Sequence, residues 1–168
     1  LTVNDRSQHI SEEQMTGQIE ASLAQHGITL PDAPAPAANY VPFVQVGDLV
    51  FISGQISQGP DGLIRGRLGA DMDVTAGAAA ARRCGLSLLA QLRVACDGDL
   101  DRVVRCVKLT GFVNSTGDFT DQPKVINGCS DLMVEVLGDA GRHARAAVSA
   151  PALPLGVAVE IEAIFQVK

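Results

Sequence analysis

An arginine set in a strand of small apolar residues carries the most chemistry in this chain. Arg145 lies in the stretch 144–165, ARAAVSAPALPLGVAVEIEAIF, where a strand-like start runs through Pro151 and Pro154 into a strictly alternating strand. A guanidinium stays charged in any protein setting and offers five donors in a rigid fork, so on an apolar strand it calls for an anion. Glu160 and Glu162 share the polar face of the next strand, across the Pro-containing turn, and bring carboxylates near that cation. Two readings follow. Arg145 is the structural partner of Glu160 or Glu162, or it receives a small carboxylate ligand.

The remaining reactive inventory is thin. Cys84, Cys96, Cys106 and Cys129 form no Cys-x-x-Cys pair and have no histidine at ligand spacing. They read as buried free thiols, and neither a metal nor a cofactor is expected. The three histidines, His9, His26 and His143, are far apart in sequence, and Tyr40 is the only tyrosine. A net charge of −6 with no basic run among aromatics argues against nucleic acid as a partner. No apolar run approaches the roughly 18 residues of a membrane span, and no signal-peptide pattern is visible. A soluble cytoplasmic protein is the expectation.

Elements must hold these side chains in place. The 168 residues are 46% hydrophobic but only 4% aromatic, so one core of Val, Leu, Ile and Ala, closely packed against Gly, is expected. Residues 11–26 read as an amphipathic helix, with Ser11 and Gln14 as a capping box, Met15, Ile19 and Leu23 as its stripe, and Gly27 as its stop. The Pro- and Ala-rich stretch 31–38 reads as an extended connector leading to Tyr40. Strands are predicted at 43–46 and 49–56 around a Gly47-Asp48 turn, the second carrying Ser53-Gly54-Gln55. Residues 57–71 read as loop.

Small and apolar residues at 74, 78, 81, 85, 88, 92 and 95 predict a helix from Asp73 to Ala95. A strand is predicted over 102–113, with Val103, Val107, Leu109 and Val113 on one face. A second long helix over 122–137 is led in by Asp121 and Pro123 and closed by Gly138. Strands at about 144–149 and 157–167 complete the order β-β-α-β-α-β-β, with hairpins expected at both ends. The fold class is α+β, helices covering one face of a mixed sheet. The other face, carrying Ala158, Ile164 and the two glutamates, is left uncovered and calls for a second subunit.

These elements, with VPFVQVGDLVFISGQI at 41–56 and RAAVSAPALPLGVAVEIEAI at 145–164, resemble the RidA/YjgF family, whose older descriptions include endoribonuclease and translation initiation inhibitor. The resemblance runs from about residue 38 to the end. It divides the chain into an N-terminal helix and connector, 1–37, and a RidA/YjgF-like domain, 38–168. It implies a chorismate-mutase-like fold assembled as a homotrimer with clefts between subunits. It also implies hydrolysis of reactive 2-enamino or 2-imino acids to 2-keto acids and ammonia.

The family pattern gives Arg145 the substrate carboxylate, Glu160 the attacking water, and Tyr40 a place before the first strand. Ser53 and Gly54 match the strand end that lines the cleft, and Asn127 matches a helix position that contributes there. Many relatives carry cysteine where this chain has Ala147. A methyl group cannot attack a carbon, but an imine needs only a positioned water. A deaminase is therefore the first expectation. The alternative is a non-catalytic trimer that binds small carboxylate metabolites. Ribonuclease activity has charge against it, and the chain lacks a paired-His or His–Lys acid/base set.

Overall fold

The structure, a computed structural model, describes residues 17–36 and 38–168. In chain order its elements are α1 (Gln18–Gln25), β1 (Phe43–Val46), β2 (Leu49–Ile56), β3 (Gln58–Gly59), β4 (Gly62–Leu63), α2 (Val74–Ala95), β5 (Val103–Asn114), α3 (Gln122–Leu137), β6 (Ala144–Ala150) and β7 (Val159–Val167). The central sheet is ordered β1-β2-β7-β5-β6. Within it β5 and β6 are parallel, joined by α3 as the crossover that parallel neighbours require, and the other pairings are antiparallel. Gly47, at φ +61, makes the tight turn between β1 and β2. The small hairpin β3–β4 lies inside the stretch expected to be loop.

The expected C-terminal hairpin does not form. β5 lies between β6 and β7, so Arg145 has Leu109 beside it, and Leu109 in turn pairs with Ala163. Residues 151–158 step over the end of β5, where Ser115 N donates to Ala150 O (3.2 Å) and Asn114 N donates to Ala158 O (2.9 Å). A link this long can span one strand, whereas a tight hairpin turn cannot. Within it Leu155 (φ 59, ψ 13) and Gly156 (φ 71) adopt left-handed backbone. For a leucine that conformation costs roughly 1–2 kcal/mol.

Alternation sorts β7 into two faces. Val159, Ile161, Ala163, Phe165 and Val167 are buried beneath the helices, while Glu160, Glu162, Ile164 and Gln166 face the other way. Ala158, expected on the open face, is fully buried just ahead of the strand. In β5 an irregularity between Cys106 and Lys108 makes Val107 the extra residue, so Cys106 takes the core position expected for Val107. The open face carries exposed Val44, Val46 and Phe51 near Ile164, an apolar patch of the kind that marks an interface, and a separate exposed Val148 on β6.

The helix layer is close-packed because it is built on small residues. A Cβ on Gly85 of α2 would sit 2.8 Å from Leu132 Cδ2 and 3.1 Å from Cys129 Sγ of α3, and one on Gly128 of α3 would collide with the Ala78 carbonyl of α2. Gly128→Ala is expected to cost about 1–3 kcal/mol through overpacking, read as a lowered midpoint in urea unfolding. All four cysteines are buried and unpaired, and desolvation pushes Cys106 up to about 12.

The expected capping box of the first helix and Met15 lie outside the described residues. In α1, Ile19 and Leu23 turn inward as expected. The helix N-terminus is capped from far along the chain. Asp101 accepts from the backbone N–H groups of Gly17, Gln18 and Ile19 at 3.0, 2.9 and 2.9 Å. Burial opposes ionisation of Asp101, but those three donors outweigh it and hold the carboxyl below its usual range.

Candidate functional site

The side chains singled out in the sequence fall into two groups. The first forms where β2 meets β7. The register between these strands slips between Ile52 and Gln55, so Ser53 and Gly54 bulge out of the ladder. Ser53 is pinned by its hydroxyl, which donates to Val41 O (2.8 Å), and by its N–H, which donates to Pro42 O (2.9 Å). Gly54 leaves the space that the Glu160 carboxylate fills, since a Cβ there would collide with Glu160 Oε1. Tyr40, Gly54 and Glu160 line one cavity of about 390 Å³.

Glu160 is half-buried in that cavity. Burial first, and the Glu162 carboxylate second, raise its pKa above the usual glutamate range. Glu162 lies apart, beside Lys108 and Thr110 in a smaller recess on the open sheet face. Of the two candidate glutamates only Glu160 therefore shares a cavity with Tyr40 and Gly54. The raised pKa means the folded state favours protonated Glu160. Its contribution is fully present below the ordinary value near pH 4.3 and is lost as pH rises through the raised folded value. Glu160→Gln is expected to melt above the parent at pH 7 and to converge with it below about pH 4. A melting difference independent of pH would contradict this.

The second group lies on the helix side of the sheet. Arg145 on β6 is in register with Leu109 and so points toward α3. There its Nη1 donates to Asn127 Oδ1 (2.8 Å) and to Ser130 Oγ (3.1 Å). Ser130 Oγ also shares a hydrogen bond with His143 Nε2 (2.9 Å), and His143 Nδ1 lies 2.6 Å from Gly141 O. Among the described residues Arg145 forms no ion pair, and only its Nη1 donates to protein. The Nε–Nη2 edge of the guanidinium is engaged by none of the described residues. Ala147, two residues on, lies on the same face and packs against the core.

Within one chain the two groups do not meet. Glu160 is paired with Phe112 and Ile56, Glu162 with Thr110, and both face away from the helices. β5 separates them from Arg145, which faces the opposite way. The structural reading of Arg145 as a partner of Glu160 or Glu162 in the same chain is thereby set aside. Ser130 and His143 were not singled out in the sequence. His143 could have been, since residues two apart share one face of a strand. Ser130 faces Arg145 only because α3 crosses over β6. Among the described residues no three His, Cys, Asp or Glu side chains converge as metal ligands, and no helix is long and apolar enough to cross a membrane.

Residues 20–165 match the family described as "YjgF/chorismate mutase-like, putative endoribonuclease". The chain belongs to this family. The match begins within α1, so the first helix and the connector are largely inside it. Protein TCP17 of Trypanosoma cruzi is 48% identical over 153 residues, covering 90% of this chain and 95% of that protein. A Shewanella oneidensis protein described as a "putative endoribonuclease" is 35% identical with a TM-score of 0.85, covering 89% of this chain and 99% of its own. Escherichia coli TdcF, whose structure holds bound serine, is 29% identical with a TM-score of 0.55, covering 81% and 93%. The YjgF/chorismate mutase-like fold is thus the expected α+β architecture, a mixed sheet with helices on one face. In this YjgF-family chain the most distinctive stretches of the sequence, the SGQ strand end and the Arg…Glu ending, supply Ser53, Gly54 and Glu160 of the first group and Arg145 and Ala147 of the second.

Proposed function

We propose that the protein is a hydrolytic deaminase of 2-imino and 2-enamino acids, working in clefts between the subunits of a homotrimer. The observation that carries this reading is the Nε–Nη2 edge of Arg145, which none of the described residues engages, a planar pair of donors matched to a carboxylate and oriented by neutral acceptors on the other side. The serine bound to the related TdcF is an amino acid of the corresponding size and charge. Because Arg145 and Glu160 face opposite sides of one sheet, a single substrate engages both only across a subunit boundary. Burial of the open apolar face supplies the driving force for that assembly.

The chemistry asks little of the protein. A 2-imino acid is already electrophilic at C2, and an enamine reaches the same state by taking a proton at C3. Arg145 holds the carboxylate, which places C2 against Glu160. Ionised Glu160 takes a proton from water as the water oxygen bonds to C2, and the electron pair of the C=N bond moves to nitrogen. Glu160 passes that proton to the nitrogen, which completes a carbinolamine, and then takes the hydroxyl proton as the C–N bond breaks and delivers it to the departing nitrogen. Ammonia leaves, and a 2-keto acid remains. Burial, which raises the Glu160 pKa above the usual glutamate range, makes the carboxylate a better proton acceptor than an exposed one. Ala147 takes no part beyond its backbone, so no covalent enzyme intermediate forms.

The expected result is that the protein accelerates keto-acid and ammonia release, in equal amounts, from imino acids generated in place by an amino-acid oxidase. Release at the buffer rate, with keto acids still bound, would favour the non-catalytic binding role instead.

A further inference from the structure

We infer that the cavity beside Glu160 takes an apolar side chain of the substrate, branched aliphatic or aromatic, and that Leu155 sets this preference. The inference rests on the deaminase reading and names the substrate class it serves. The wall of the cavity is built largely from Pro34, Pro36, Pro42, Leu63, Pro154 and Leu155, with no Lys or Arg among the described residues that line it. An acidic side chain would meet no cation among these residues and would face the Glu160 carboxylate. A basic one would pair with Glu160 and hold that carboxylate away from the water. An apolar group loses nothing by entering, and prolines give it a wall whose shape is set in advance.

Leu155 singles itself out on two independent grounds. Its backbone is left-handed (φ 59), where glycine or asparagine would sit without strain. Its side chain is 65% exposed, so the leucine adds little to the core. A residue that is both strained and exposed is not explained by folding, and such residues concentrate at ligand-binding sites. Arg65 holds the strained turn in place, its Nε donating to Leu155 O (2.8 Å). The same turn, Pro154–Gly156, leads directly into β7 and Glu160, which ties the position of Leu155 to that of the proposed base.

The test compares kcat/KM for imino acids derived from alanine, leucine, phenylalanine and aspartate, in the parent and in Leu155→Gly and Leu155→Asn. Both replacements suit left-handed backbone, so the fold is retained, and a melting curve checks this. The parent is expected to favour the leucine- and phenylalanine-derived substrates over the aspartate-derived one by roughly a hundredfold. The variants should lower the leucine-to-alanine ratio of kcat/KM by about tenfold, the scale of lost apolar contact in a pocket. An unchanged ratio in folded variants, or a parent indifferent to the side chain, overturns the assignment while leaving the deaminase reading intact. A parent that hydrolyses none of the four overturns both.

Discussion

Arg145→Ala is expected to lower turnover of a 2-imino acid by roughly two orders of magnitude or more while the protein stays folded and assembled. The lost contact is a two-donor, charge-assisted clamp on a carboxylate, each hydrogen bond of which is worth about 1.5–3 kcal/mol. About 1.4 kcal/mol corresponds to tenfold in rate, so the loss of even one such bond is readily measured. Stability should change little, because Arg145 is exposed and, among the described residues, its side chain makes two hydrogen bonds, to Asn127 and Ser130. Arg145→Lys should recover only part of the activity, since a point charge does not reproduce the planar fork. Steady-state turnover and calorimetric titration with a 2-keto acid read the two effects separately. If the alanine variant binds keto acids as well as the parent does, the carboxylate clamp is wrong.

Equimolar Arg145→Ala and Glu160→Gln chains, unfolded and reassembled together, are expected to regain activity that neither has alone. Loss of a general base typically costs 10²–10⁴ in rate, so each variant by itself should be nearly silent. In a closed ring every boundary joins one patch of one chain to a different patch of the next. When a Glu160-intact chain contributes the Glu160 side and an Arg145-intact chain contributes the Arg145 side, that boundary is whole. Random mixing makes this arrangement at about one boundary in four, so recovery to about a quarter of the parent rate is expected. Native mass spectrometry shows whether mixed assemblies have formed. Mixed assemblies with no recovery would mean that the two residues do not serve a common site between chains.

That experiment turns on what the tertiary structure added. The local pattern of the chain already marked most elements: the alternation of β7, the spacing of small residues along α2, and Asp121 and Pro123 ahead of α3. These are short-range signals, set by the 2.0 and 3.6 periods of strand and helix and by the backbone limits of proline and glycine. The candidate residues were also legible, because an arginine among alanines and a pair of alternating glutamates stand out against a chain that is 46% hydrophobic.

Neighbourhood was not legible. Pro151 and Pro154 look like a hairpin turn, yet residues 151–158 carry the chain over β5, because Ala144–Ala150 pairs in parallel with the strand before α3. Nothing local in β6 distinguishes an edge strand beside β5 from a hairpin arm beside β7. A misplaced neighbour also misplaces a face, so Arg145 and Glu160 seemed partners when β5 separates them and they point to opposite sides of the sheet. Val107 and Ala158 were misassigned for a related reason: one irregular pairing shifts the alternation around it, and burial by a distant segment leaves no mark on composition. Residue type and spacing were enough to pick out the candidate side chains and the local elements that hold them. Packing across the chain was needed to show that Glu160 shares its cavity with Tyr40 and Gly54, that Asn127 and Ser130 orient Arg145, and that the two groups lie on opposite faces. Those relations depend on contacts between residues tens of positions apart, and strand order, not strand identity, sets them.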